Sequence, residues 1–164
     1  MQTKLNWGKK FFSNAYSIYS NGQQVGKLRD KTFSATSNGD LFGKEFTFKT
    51  KGFFKQETEI IDNLENKVIG NITYNSWMTK ATITIHNKTS YWKYNNFWST
   101  KWRISNSEGT EIQYAGNSSR GQIETNTDDP LLLLSGLYVT NYYWQITVMV
   151  MIIVFTPILS NATR

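Results

Sequence analysis

Residues Pro130–Thr156 read PLLLLSGLYVTNYYWQITVMVMIIVFT and include no Asp, Glu, Lys, Arg or His. A helix that is apolar on every side has to be buried, either in lipid or inside protein. Leu131–Thr156 is 26 residues long, roughly 39 Å of helix at 1.5 Å per residue, which is enough for a transmembrane candidate. Asp128 and Asp129 stand before Pro130. Acidic residues followed by proline at a first helical position suit a helix N-terminus. Pro157, the second of only two prolines in the chain, punctuates the far end.

The polar residues decide between the two burials. Gln145 is the midpoint of Leu131–Leu159, Asn141 lies one turn earlier, and Tyr142, Tyr143 and Trp144 fill the gap. A single span would hold two amides near the bilayer midplane, where unpaired polar groups are costly. It would also put an aromatic cluster mid-membrane, although such belts form at the interfaces. No basic cluster flanks the segment. The expectation is a central core helix over 131–156, with Leu134, Leu137, Tyr138, Asn141, Trp144, Gln145 and Val148 facing the core; a C-terminal membrane anchor is the alternative.

The preceding residues, 14–127, read as strands able to surround such a helix. Phe46 and Phe48 alternate with Glu45, Thr47, Lys49 and Lys51, and Ile83 and Ile85 alternate with Thr82, Thr84 and His86. Trp92 with Tyr94, Trp102 with Ile104, and Ile112 with Tyr114 share faces in the same way. Each run has one apolar side to cover. Turn signals recur at Asn21-Gly22, Asn38-Gly39, Asn63–Asn66, Asn87–Ser90 and Glu108-Gly109, the spacing of an all-β sandwich or barrel. Ile18–Asn21 with Val25–Leu28 is echoed by Ile61–Asn63 with Ile69–Ile72, each a strand, a polar turn and a strand with glycine near its start.

With 164 residues the chain suits a single domain, 1–164. A 15% aromatic content and 18% charged residues are not a disordered composition. The absence of cysteine excludes disulfides and thiolate metal sites. Met1–Phe12 has no apolar run of signal-peptide length, so a cytoplasmic protein, peripheral at a membrane, is expected. The Asn-x-Ser/Thr matches at Asn71, Asn87, Asn117 and Asn161 are then chance occurrences.

Tyr16–Leu28, Ile60–Trp77 with Ala81-Thr82-Ile83, and Leu131–Tyr138 resemble the tubby C-terminal-like superfamily, closest to its LURP-one-related and phospholipid-scramblase-like branch. The likeness runs over about residues 14–156 and is one of element types. It implies a mainly β fold, a closed antiparallel barrel of about twelve strands wrapped around the C-terminal hydrophobic helix. It also implies, as a class, binding to membrane lipid.

No phosphate-binding glycine loop, Gly-x-Ser-x-Gly elbow or His-Glu-x-x-His occurs. His86, the sole histidine, has no assignable nucleophile or orienting partner. No catalytic residue, cofactor or metal is expected. The net charge of +6 resides in residues 1–58, with ten Lys/Arg against four Asp/Glu. Lys27, Arg29 and Lys31 form one stripe, and Lys49, Lys51 and Lys55 another. Near an anionic membrane each basic residue contributes about 1 kcal/mol. These residues are therefore candidates for binding anionic phospholipid or a membrane surface. A structural or hydrophobic-ligand-sequestering barrel and a nucleic-acid-binding protein, which would use the same lysines, are the alternatives.

Overall fold

The computed structural model describes residues 3–10, 13, 15–30, 35–52 and 56–162, with side chains to 156. Among them run twelve strands: β1 Thr3–Lys9, β2 Ala15–Ser20, β3 Gln23–Asp30, β4 Thr36–Leu41, β5 Lys44–Lys51, β6 Glu57–Asp62, β7 Lys67–Tyr74, β8 Lys80–Ile85, β9 Lys88–Tyr94, β10 Lys101–Ser105, β11 Glu111–Gly116 and β12 Arg120–Thr125. Helix α1, Pro130–Ala162, follows. Every strand pairs antiparallel with its sequence neighbours, and β1 pairs with β12 to close the ring. The closed barrel has no unpaired edge.

β1 lies outside the range to which the strands were assigned from sequence. Its pattern is thin, with Leu5 and Trp7 the only apolar residues facing in, yet those two are 1% and 3% exposed. The alternation predicted elsewhere places Phe46, Phe48, Ile83, Trp92, Trp102, Ile104, Ile112 and Tyr114 inside. Asn38-Gly39 is not a turn. It lies within β4, where a Cβ on Gly39 would come within 3.1 Å of a Leu134 methyl, so the glycine makes room for the helix. The neighbouring turn is Phe42-Gly43, with φ of 52° and 77°. The two echoing hairpins share one irregularity. Each carries a register shift, at Ile18/Tyr19 and at Ile60/Ile61, opposite Gly26 and Gly70.

Helix α1 is capped by Asp129, whose carboxylate accepts from the Leu131 and Leu132 amides at 2.9 and 3.2 Å. It then threads the barrel. Leu133, Leu134, Ser135 and Val139 are fully buried, and Leu137, Tyr138, Asn141 and Tyr143 nearly so. Gly136 lets the Tyr114 ring press against the helix, and the Tyr114 hydroxyl donates to the Leu133 carbonyl at 3.0 Å. The Trp92 indole donates to the Gly136 carbonyl at 3.2 Å, and Phe48 stacks on Tyr138 at 4.4 Å. The interior is filled by α1.

Burial ends abruptly. Trp144 is 56% exposed, Val148 41% and Ile153 71%, and every residue from Thr147 to Thr156 is exposed. Trp144 and Val148 are thus not core residues, contrary to the sequence expectation. The barrel is shorter than the helix: roughly 20 Å of α1, Leu131–Tyr143, fits inside at 1.5 Å per residue. The rest, Trp144–Ala162, projects from one end of the barrel.

Candidate functional site: the barrel mouth

The end from which α1 emerges carries exposed aromatic side chains on two of its loops. At the entry end, two-residue turns at Asn21-Gly22, Phe42-Gly43 and His86-Asn87 join the strands, all with positive φ. At the exit end Asn75–Thr79 and Asn95–Thr100 join β7 to β8 and β9 to β10. Asn75 and Asn96 shape these two loops by accepting backbone amides with their side-chain carbonyls. The loops carry Trp77, Phe97 and Trp98, exposed at 84%, 91% and 79%. Large aromatic side chains in water are unusual unless something covers them.

Inside this mouth lies a polar cluster. Asp30, at the end of β3, faces inward and is buried. It accepts from the Ser37 hydroxyl at 2.7 Å and from the side-chain amides of Asn141 and Gln145. The Asn141 carbonyl in turn accepts from the Tyr16 hydroxyl at 3.0 Å. The two amides that weighed against a simple membrane span therefore find protein partners, one of them charged, as buried polar groups require. Asn141 and Gln145 fix the depth at which the helix sits.

Beside this cluster is a cavity of about 390 Å³ between β1, the β9–β10 loop and the emerging flank of α1. Its lining includes apolar and aromatic side chains, Trp98, Trp102, Trp144, Val148 and Ile152. Its polar lining includes Lys9, Thr100 and Asn117. Trp7 also lines it, held by two glycines on adjacent strands. A Cβ on Gly116 or Gly121 would lie 2.6 Å from its ring. The indole N–H groups of Trp7 and Trp102 are buried and have no hydrogen-bond partner.

Lys9 shares the inward register of Leu5 and Trp7, and its ammonium lies 5.1 Å from the Tyr16 ring centroid. Burial lowers its pKa below the ordinary lysine value, and the Asp30 charge acts in the opposite sense. Among the described residues no carboxylate forms an ion pair with it.

The basic stripes lie elsewhere. Lys27, Arg29, Lys49 and Lys51 face outward on the β3–β5 wall; Lys31 and Lys55 lie outside the described residues. Carboxylates interleave with them. Lys27 pairs with Asp40 at 3.6 Å and Lys51 with Glu59 at 2.5 Å, while Glu59 also stands opposite Lys49 and Glu57 opposite Lys51. Reading strands singly grouped the lysines and missed the acids on the next strand. Sequence reasoning also passed over Lys9 and Trp7, whose inward placement required β1 to be recognised. His86 is exposed in a turn.

No protein-family model, curated protein or solved structure matches the chain.

Proposed function

We propose that this protein is a non-enzymatic, membrane-docked lipid-binding barrel, cytoplasmic in its globular part and attached by the projecting half of its own core helix. The observation that carries this is the divided helix. Val148, Met149, Val150, Met151, Ile152, Ile153, Val154 and Phe155 are consecutive and all exposed, so they cover every direction around the helix axis. A protein groove would cover one face and leave the others wet, whereas a bilayer covers all of them. Thr147–Ala162 amounts to roughly 24 Å of helix, most of the ~30 Å hydrocarbon core. Thr147 and Thr156 donate their hydroxyls to the Tyr143 and Ile152 carbonyls at 2.9 and 2.6 Å, which satisfies them without water. Trp144, Trp98, Phe97 and Trp77 lie at the same end, where an interfacial aromatic belt belongs.

This reading joins the core helix and the membrane anchor as successive parts of one element. It also suits the resemblance to the tubby C-terminal-like superfamily, whose implied barrel and central helix match the architecture described above. Attachment is assigned to the helix because the lysines of the β3–β5 wall have carboxylate neighbours. Vesicle flotation tests it. The full chain should float with neutral phosphatidylcholine vesicles and stay bound at high salt. Binding that requires anionic lipid and is released by salt would return the role to the lysines, and no binding to either would refute the proposal.

A further inference from the structure

We propose that the mouth cavity is a binding site for one phospholipid molecule, its phosphate on Lys9 and its acyl chains along Trp144, Val148 and Ile152. The inference rests on the bilayer reading in one respect, that the helix flank forming the apolar wall lies at the membrane surface. The chemistry of the cavity is otherwise its own. At about 390 Å³ it falls within the usual range of ligand sites, about 300–1,000 Å³. The barrel rim contributes Lys9, Thr100 and Asn117, and the outer part of the helix contributes Val148, Met149 and Ile152, so an amphipathic occupant with its chains pointing outward fits it.

The polar end calls for an anion. Lys9 is held inward without an ion-pair partner among the described residues. The nearby Asp30 carboxylate is occupied, with Ser37 on one oxygen and Asn141 and Gln145 on the other. A half-buried ammonium gains from an anion that replaces lost hydration. A free phosphate ion would use only this end and leave the apolar wall uncovered.

The test uses the full chain in an uncharged detergent, titrated with short-chain phosphatidic acid, with diacylglycerol of the same chains, and with inorganic phosphate. Thermal unfolding and native mass spectrometry are the readouts. Phosphatidic acid should bind one to one and raise the melting temperature. Lys9→Met should weaken it by about tenfold to a hundredfold, the equivalent of one charge-assisted hydrogen bond, and Val148→Asp should weaken it independently. Diacylglycerol binding as tightly would remove the role of Lys9. Inorganic phosphate stabilising as well would make the site one for a free anion, and unchanged affinity in Lys9→Met would overturn the proposal. Lys9→Met should still float with vesicles. Flotation without lipid retention would therefore refute the pocket alone, and lipid retention without flotation would refute the bilayer reading alone.

Discussion

Replacing Asn141 by leucine tests how the helix is seated. Asn141 is 3% exposed, accepts from the Tyr16 hydroxyl and donates to Asp30. Leucine leaves the Tyr16 hydroxyl without its partner, at a cost of about 1–3 kcal/mol. It also removes one of three hydrogen bonds to a buried carboxylate, a loss of about 1.5–3 kcal/mol. The added apolar burial recovers about 1–2 kcal/mol, so the net loss is about 3 kcal/mol. For a chain of this size that lowers the melting temperature by about 6–12 °C, measurable by near-ultraviolet circular dichroism. Adding Tyr16→Phe removes the orphaned hydroxyl, so the double variant should be less destabilised than the sum of the two singles. A melting temperature unchanged by Asn141→Leu, or strict additivity with Tyr16→Phe, would refute the seating.

Other outcomes follow from the same geometry. Deleting 148–164 should leave a folded barrel that purifies without detergent, whereas deleting 131–164 removes the core and should abolish the cooperative unfolding transition. Gly136→Ala drives a methyl into the Tyr114 ring and should cost about 1–3 kcal/mol or more, with Tyr114→Leu restoring part of it. Burial raises the pKa of Tyr16, Tyr74 and Tyr114 above the ordinary 10.0. The unfolded chain then releases these protons first, so stability should be intact below about pH 10 and fall above it; phenolate absorbance should appear together with unfolding. Lys9 has the opposite shift, below 10.5. The unfolded chain holds that proton more tightly, so Lys9→Met should exceed the parent in stability at neutral pH, with the advantage shrinking as pH rises towards 10.5.

Much of the barrel was legible because period-two alternation responds only to which side is covered. Ile83, Ile104 and Ile112 could be placed inside without knowing their partners. Two local signals misled. Asn38-Gly39 has turn chemistry but serves as a close-packed strand position under Leu134, while the turn at Phe42-Gly43 hides behind an apolar residue at φ 52°. The helix was legible as an element, but not where its burial stops. Leu134 and Val148 look alike in sequence, and only the height of the barrel separates them. The mouth was hardest to foresee. It brings together Lys9, Tyr16, Asp30, Trp102 and Asn141 from four strands and the helix, a convergence that no spacing along the chain records.

Because the chain contains no cysteine, single cysteines can report the surroundings of α1 one position at a time. The decisive measurement is the reactivity of Ser135→Cys, Val150→Cys and Ile153→Cys towards a membrane-impermeant maleimide, in detergent-free protein and again after binding to phosphatidylcholine vesicles. Position 135, fully buried among the strands, should be protected in both states. Positions 150 and 153, 48% and 71% exposed, should react freely without vesicles and become protected with them. Protection at 150 and 153 without lipid would mean that the whole helix is core, and continued reactivity on vesicles would mean that its second half never enters the bilayer.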